Sequence, residues 1–265
     1  MKSNKQDHNG ICFEKLPAAP DNPKLVFVWG HGWGQDHRAL LPLAQSLKNL
    51  GAHYLIDFPG FGGSPQPTGI WDTNNYADAT LSLLEVIKSR HPDAKIIWGC
   101  HSFGGRVGLQ MASRAKSPID GMVMLAAAGL KPQYPWWQKL HLWLKVRIFK
   151  TFKFLTKLGI SEDWVIQTFT TGDYKSAGNM RKIFVKTVNE DLSAEARLVH
   201  CPVLLAYGEN DKHAAPEMGE RLARLISGAQ FYKLAGHDHF TILTDGRHQI
   251  ASLVSDFLEK HFRPL

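Results

Sequence analysis

The chain has 265 residues, enough for one large globular domain or for one domain that carries an insertion. With 44% hydrophobic and 21% charged residues and no internal repeat or low-complexity tract, it is neither disordered nor fibrous. The formal net charge of +7 is local: seven of the 31 basic residues and no acidic residue lie between 131 and 157, and the other 24 balance the 24 acidic residues. This distribution argues against a nucleic-acid-binding surface spread over the fold.

The three cysteines are odd in number and far apart in the sequence. Cys12, Cys100 and Cys201 lack the paired spacing of a zinc site, so we expect reduced thiols, no disulfide framework and no metal. The first ten residues lack the apolar core of a signal peptide, and no run reaches the roughly 18 apolar residues needed to span a bilayer. We therefore predict a cytoplasmic protein.

Six short apolar runs alternate with helix-length amphipathic stretches. The runs cover 25–29, 53–58, 95–99, 121–127, 202–208 and 230–234. Runs of this kind, bounded by turn signals and separated by helical patterns such as 75–90 and 248–261, are typical of a parallel sheet covered on both faces. The sequence thus predicts an α/β fold, in which ligands bind at the carboxyl ends of the strands.

The alternation fails once, between 131 and 197. This segment has helical patterning, many aromatic residues and no convincing strand. We predict a core in two parts, 1–130 and 198–265, with 131–197 as a helical cap that lies over the carboxyl edge of the sheet.

A serine follows the run at 95–99, in the sequence CHSFGG at positions 100–105. Ser102 stands between small residues at a predicted strand-to-helix turn, which exposes its hydroxyl and directs nearby amides to one point. The sequence here resembles the nucleophile elbow, G-x-S-x-G, of the α/β-hydrolase family. Cys100 occupies the place of the first glycine and is small enough for the turn to form.

The resemblance extends to two further loops. GHGWG at 30–34 is similar to the family's oxyanion turn, which implies that the amides of Trp33 and Phe103 bind the oxyanion. His31 and His101 flank this site without a place in the triad. DFPGFGGS at 57–64 is also a familiar segment of the family, and we assign Asp57 a structural role.

A serine nucleophile needs a base, and the base needs an acid that orients it. The family order of serine, acid and histidine implies Asp211, after the run at 202–208, as the acid and His237, after the run at 230–234, as the base. Glu209 is the alternative acid. His239, two residues after His237, is the alternative base.

These residues predict a serine hydrolase that cleaves a carboxylic ester through an acyl-enzyme, without a cofactor. The loops at 31–34 and 58–62 are similar to those of pimeloyl acyl-carrier-protein methyl ester esterases. A carbon–carbon bond hydrolase of the meta-cleavage-product type is the alternative chemistry. A non-catalytic binding member of the fold is the third possibility, although such a protein is expected to lack a triad residue.

The basic segment predicts a partner for the cap. On a helical projection of 136–158, one face carries Trp137, Leu140, Leu144, Ile148, Phe152 and Leu155, and the opposite face carries Lys139, Arg147, Lys150, Lys153 and Lys157. Cations without anions, mixed with aromatic residues, suit an anionic membrane surface or an acyl-carrier protein. The alternative is a cap helix packed on the core with solvated lysines.

Overall fold

The computed structural model describes residues 5–16, 23–133, 136–155 and 172–262. These residues form one eight-stranded sheet in the order β1-β2-β4-β3-β5-β6-β7-β8. The strands are β1 (Lys5–His8), β2 (Ile11–Lys15), β3 (Leu25–Gly30), β4 (Ala52–Asp57), β5 (Lys95–His101), β6 (Gly121–Leu125), β7 (Val203–Gly208) and β8 (Gln230–Leu234). Strands β3 to β8 are parallel, and β1 and β2 join as antiparallel strands. The predicted mostly parallel α/β sheet is confirmed.

Ten α-helices occur in the described residues. They are α1 (Leu41–Ser46), α2 (Thr73–Arg90), α3 (Phe103–Ala112), α4 (Trp136–Leu155), α5 (Gly172–Ser176), α6 (Arg181–Val188), α7 (Ser193–Arg197), α8 (Pro216–Leu225), α9 (Thr241–Thr244) and α10 (Arg247–Phe262). Short 3₁₀ helices cover His37–Ala39 and Gly178–Met180. Among these helices, none combines the length and the apolar character that a membrane crossing requires.

Helices cover both faces of the sheet. The side chains of β3 alternate between two apolar clusters: Val26 and Val28 pack with α2, α3 and α8, and Phe27 and Trp29 pack with α1, α9 and α10. All six residues of β3 are buried, because a central parallel strand has a covered face on either side. The continuous apolar runs in the sequence have this physical origin.

The sequence analysis missed the hairpin of β1 and β2, which forms one edge of the sheet. Asn9 and Gly10 connect the two strands with φ of 49° and 79°. A two-residue Asn-Gly connection with positive φ at both positions matches the twist of paired strands. The Asn-Gly pair is therefore the signal that could have predicted this hairpin.

Between β6 and β7 the described residues form helices and no strand. The boundaries of the predicted cap, 131–197, remain a prediction, and its residues 134–135 and 156–171 lie outside the described ones. Helix α4 exposes every apolar side chain that is described on it. These side chains are Trp136, Trp137, Leu140, Trp143, Leu144, Val146 and Ile148, with exposed fractions from 45% to 76%.

A neutral histidine of β4 is buried in the core beside β3. His53 Nδ1 accepts a hydrogen bond from the Trp29 indole at 3.0 Å, and His53 Nε2 donates to the carbonyl of Leu47 at 3.0 Å. Since one ring nitrogen accepts and the other donates, the neutral ring satisfies both partners. Burial lowers the pKa of His53 to about 4.

We expect the free energy of unfolding to fall as the pH drops from about 6.5 towards 4. Burial lowers the pKa of both His31 and His53 to about 4, from the value of 6.5 for an unperturbed histidine. Between these values the unfolded chain binds protons that the folded chain excludes, so the stability present above pH 6.5 is lost by up to about 1.4 kcal/mol per pH unit for each histidine. Urea titrations at pH 5, 6 and 7 measure this slope. His53→Gln should reduce the slope by up to about 1.4 kcal/mol per pH unit, which is the contribution of one histidine. An unchanged slope would contradict the assignment of His53 as a histidine that folding keeps neutral.

Candidate active site

Ser102 lies at the sharp turn between β5 and α3. Its φ of 49° and ψ of −109° are unusual for a residue with a side chain. Two hydrogen bonds hold the turn: the Ser102 amide donates to the carbonyl of Leu125 at 3.1 Å, and the Ala128 amide donates to the carbonyl of Ser102 at 2.9 Å. The strained backbone presents Ser102 at the carboxyl end of the central strands.

The two glycines after this serine allow the turn to form. A Cβ atom at Gly104 would lie 2.3 Å from the carbonyl oxygen of Gly30, and one at Gly105 would lie 2.5 Å from the Cβ of Ala127. Since both neighbours belong to the packed core, neither contact can relax cheaply. The glycines therefore bring the start of α3 against the ends of β3 and β6.

Cys100 fills the place of the first elbow glycine without disturbing the turn. Its side chain is fully buried, and burial raises the pKa of its thiol. The thiolate is the reactive form of cysteine, so a thiol held neutral in an apolar environment is unreactive.

We predict that Cys100→Gly retains activity. The expected cost is in stability, about 1 kcal/mol for glycine in a strand interior plus the lost apolar contacts. Ester turnover and thermal unfolding of the variant measure both effects. If a thiol reagent rapidly modified Cys100 in the native protein, and if both this modification and the Cys100→Gly substitution lowered activity, the thiol would have a role that burial argues against.

A buried acid–histidine pair stands at the ends of β7 and β8. Asp211 Oδ2 lies 2.7 Å from His239 Nδ1, and both side chains are buried. Asp211 Oδ1 accepts hydrogen bonds from the amides of His213 and Ala214, at 2.7 and 2.8 Å. The carboxylate is thus fixed by two amides and places a proton on His239 Nδ1, which leaves Nε2 free to act as a base.

The expected partnership of Asp211 with His237 is wrong, because Asp211 pairs with His239. The backbone of His237 packs at the end of β7: its carbonyl accepts the amide of Asn210 at 2.9 Å and would lie 2.5 Å from a Cβ atom at Gly208. The ring of His237 is half-buried and lies outside the cavity, which His239 lines. The chain bends towards the cavity only after His237.

A local signal marks this turn. Asp238 Oδ1 accepts the amides of Phe240 and Thr241 at 2.9 and 2.8 Å, and the Thr241 hydroxyl accepts the amide of Asp238 at 2.8 Å. An Asp three residues before a Thr is a typical reciprocal cap at the start of a helical turn. The signal shows that the chain bends at 238, and the histidine after the bend enters the site.

The predicted oxyanion residues line the same cavity as Ser102. Phe103 is the first residue of α3 and Trp33 lies in the turn after β3, with their rings 5.4 Å apart and nearly perpendicular. Among the described residues, no hydrogen bond uses the amide of either one. The turn is fixed by Gly32, whose amide donates to Gln35 Oε1 at 2.8 Å.

His101 connects the turn after β3 with the loop that carries His239. Its Nε2 donates to the carbonyl of His239 at 2.9 Å, and its Nδ1 lies 3.0 Å from Oε1 of Gln35. On the other side of the turn, His31 donates from Nδ1 to the carbonyl of Gly32 at 2.7 Å. Both histidines flank the site as predicted and contact its loops.

Asp57 fixes the loop after β4. Its Oδ1 accepts the amide of His37 at 2.7 Å, and its Oδ2 accepts the amide of Gly63 at 2.8 Å. The carboxylate is buried at the end of β4 and serves the structural role expected from the sequence.

The cavity in front of Ser102 has a volume of about 220 Å³. Its walls include Leu130, Phe184, Val188 and Met218, and the sequence analysis named none of them as site residues. Arg106, one helical turn after Ser102, also lines the cavity and was missed. Apolar and polar side chains share the walls of the cavity, and a cavity of this kind suits a small ligand.

Three parallel strands of the sheet supply these groups at their carboxyl ends: Ser102 follows β5, Asp211 follows β7 and His239 follows β8, with β6 between β5 and β7. This arrangement, at the carboxyl end of a mostly parallel sheet, makes the chain an α/β hydrolase. The family model of the serine aminopeptidases, S33, matches residues 21–251. The chain belongs to that family.

Sequence relatives include esterases. Residues of this chain are 35% identical over 106 positions to a pimeloyl-[acyl-carrier protein] methyl ester esterase of Shewanella sp. (strain MR-7), covering 40% of this chain and 35% of the relative. The chain thus matches about a third of that relative's length. A protein of the same name from Neisseria meningitidis serogroup A is 25% identical, with 93% of this chain and 80% of the relative covered.

Solved structures share the fold. An enol-lactonase from Burkholderia xenovorans LB400 has a TM-score of 0.69 at 20% identity, with 96% of this chain and 99% of that chain covered. A thermophilic esterase from Thermogutta terrifontis has a TM-score of 0.67 at 18% identity, with 98% of both chains covered. At these identities the similarity establishes the fold alone.

Proposed function

We propose that this α/β hydrolase cleaves a carboxylic ester through an acyl-enzyme, with Ser102 as nucleophile, His239 as base and Asp211 as the acid that orients it. The observation that carries the proposal is the buried 2.7 Å contact between Asp211 and His239, beside the cavity that Ser102 also lines. Buried pairs of this kind fix the tautomer that a general base needs.

In this mechanism His239 Nε2 takes the proton of Ser102 as the hydroxyl oxygen attacks the ester carbonyl. The tetrahedral oxyanion accepts hydrogen bonds from the amides of Trp33 and Phe103. The protonated His239 then gives its proton to the departing alcohol, which leaves an acyl group on Ser102. Water, activated by the same ring, hydrolyses the acyl-enzyme and restores the serine.

Labelling with a fluorophosphonate, followed by turnover of 4-nitrophenyl esters of increasing chain length, tests the proposal. An ester hydrolase should be labelled on Ser102 and should prefer short acyl groups, because the cavity is small. Turnover of a vinylogous 1,5-diketone in place of esters would favour the carbon–carbon hydrolase. Absence of both labelling and turnover would indicate a binding protein and would reject the proposal.

We predict that Asp211→Asn lowers ester turnover by about 10⁴-fold, because the amide no longer holds His239 in the correct tautomer. Glu209→Gln is the matched control: the Glu209 side chain is exposed, and its backbone amide donates to the carbonyl of Leu234. This variant should change kcat by less than about threefold, as expected for a surface substitution. The reverse ranking would make Glu209 the acid.

Acyl groups on a carrier protein are a second candidate substrate. The relatives are named for such esters, and the exposed apolar side chains of α4 lie in a segment with seven basic and no acidic residues. Arg147 stacks on Trp143 with its guanidinium carbon 4.6 Å from the ring centroid, so charge and apolar area share one surface. Acidic carrier proteins complement such a surface.

Competition between free and carrier-linked methyl esters tests this candidate. A carrier-linked ester should have the higher kcat/KM, and the advantage should fall with added salt. Arg147→Gln should reduce it, because the substitution removes a described cation of α4. Sedimentation with anionic and neutral liposomes tests the membrane alternative: salt-sensitive binding to the anionic ones alone would support a lipid surface.

A further inference from the structure

Arg106 is a buried cation in the wall of the proposed active site. It lies on α3, four residues after Ser102, and only 5% of the residue is exposed. Its side chain lines the cavity of Ser102 and His239. The cation is thus placed where a bound acyl group would lie.

The guanidinium has fewer partners than it can bind. Its Nη1 donates to the carbonyl of Glu190 at 3.1 Å, and its Nη2 donates to the carbonyl of Val188 at 3.4 Å. A guanidinium has five N–H groups, so these two contacts leave donors over. In the described part of the chain, no carboxylate forms an ion pair with Arg106.

The nearest acidic side chains do not neutralise this cation. The carboxylate of Glu190 is directed to Thr73, from which it accepts both the amide and the hydroxyl hydrogen bonds. Burial lowers the pKa of Arg106 in spite of the charges of Glu190 and Asp191. A guanidinium nevertheless remains protonated, and a buried charge without a counter-ion is costly to the fold.

An anionic ligand would remove this cost. Of the described residues that line the cavity, only Asp173 carries a carboxylate, and its side chain is exposed to solvent. Arg106 follows Ser102 by about one helical turn, or roughly 6 Å of rise along the axis, which a spacer of a few methylene groups can cross. Arginine binds carboxylates through paired, charge-assisted hydrogen bonds.

We propose that Arg106 binds a carboxylate at the far end of the acyl group, so that the substrate is a half-ester of a short dicarboxylic acid. The inference rests on the ester hydrolysis proposed above. The inference distinguishes a half-ester from a carrier-linked ester as the substrate. An acyl group on a carrier ends in a thioester, which has no negative charge for the guanidinium to bind.

A purely structural role makes a different prediction. Arg106 also caps the end of α6 through the carbonyl of Val188, and loss of that cap would disturb the cavity for every ester alike. Carboxylate recognition instead requires a loss that depends on the substrate. The ratio of two kcat/KM values therefore distinguishes the two roles.

The experiment compares monomethyl glutarate with methyl pentanoate, two methyl esters with acyl groups of five carbons, by methanol release. The wild-type protein should prefer the glutarate by about 10- to 100-fold, the range for a hydrogen bond to a charged group. Arg106→Gln, which keeps a donor for the helix cap, should bring the ratio near one. Arg114→Gln removes the same charge outside the cavity and should leave the ratio unchanged.

Calorimetry with glutarate and pentanoate tests binding apart from turnover. Ser102→Ala protein should bind glutarate more tightly, and the double variant with Arg106→Gln should lose this preference. A wild-type ratio of one or less, or an equal loss for both esters in Arg106→Gln, would overturn the inference while ester hydrolysis stands. If neither ester were hydrolysed, the proposed chemistry would fail, and glutarate binding would still decide the role of Arg106.

Discussion

Replacing Ser102 by alanine is expected to abolish fluorophosphonate labelling and to lower ester turnover by about 10⁶-fold, the loss seen when a hydrolase loses its triad serine. The substitution removes one oxygen atom and leaves the elbow in place, since its hydrogen bonds use the backbone of Ser102. Alanine and serine meet the same strain at φ of 49°, so the stability should change little.

Ser113→Ala is the matched control. Ser113 ends α3 outside the cavity, and its hydroxyl donates to the carbonyl of Gln110 at 3.1 Å. This variant should be labelled and should turn over esters like the wild type. Thermal unfolding of both variants is the measurement that checks whether each is folded. Undiminished turnover by Ser102→Ala would reject the nucleophile.

His239→Gln is expected to lower turnover by about 10⁴- to 10⁶-fold, because His239 is the described side chain that both pairs with Asp211 and lines the cavity of Ser102, where it can take the serine proton. His237→Gln should change turnover by less than about threefold, because His237 contacts the loop through its carbonyl, which glutamine retains. The two residues lie on either side of Asp238, two positions apart, so the pair of variants tests the loop geometry directly.

Both variants should be followed by steady-state kinetics and by labelling. Loss of the base slows the attack of Ser102 on the fluorophosphonate as well as on the ester, so labelling of His239→Gln should slow in parallel with turnover. If His237→Gln were the inactive variant, Asp211 would have to change its partner in solution, and the histidine predicted from the sequence would be restored.

The strands and the sharp turn at Ser102 could be predicted because their signals are local. A buried parallel strand produces a continuous apolar run, and the elbow around Ser102 depends on two glycines next to it in sequence. The Asn9-Gly10 turn is an equally local signal for the missed hairpin.

The histidine and Arg106 could not be predicted in the same way. His239 is selected by the packing of His237 against Gly208, a contact between two strand ends that spacing from a strand does not reveal. Arg106 follows a recognisable motif, but its burial depends on the carbonyls of Val188 and Glu190, which are 82 and 84 residues away. Contacts between distant segments determine which side chains face the cavity.

The helical segment between β6 and β7 divides the proposed catalytic groups between two parts of the chain. Ser102 precedes this segment, and Asp211 and His239 follow it, so a break within it would leave two polypeptides with an incomplete set each. The two parts meet along a parallel ladder from Met122–Val203 to Leu125–Ala206. Recovery of hydrolysis on mixing two separately expressed fragments would therefore show that the pairing of β6 with β7 has re-formed. The fold is thus suited to fragment complementation.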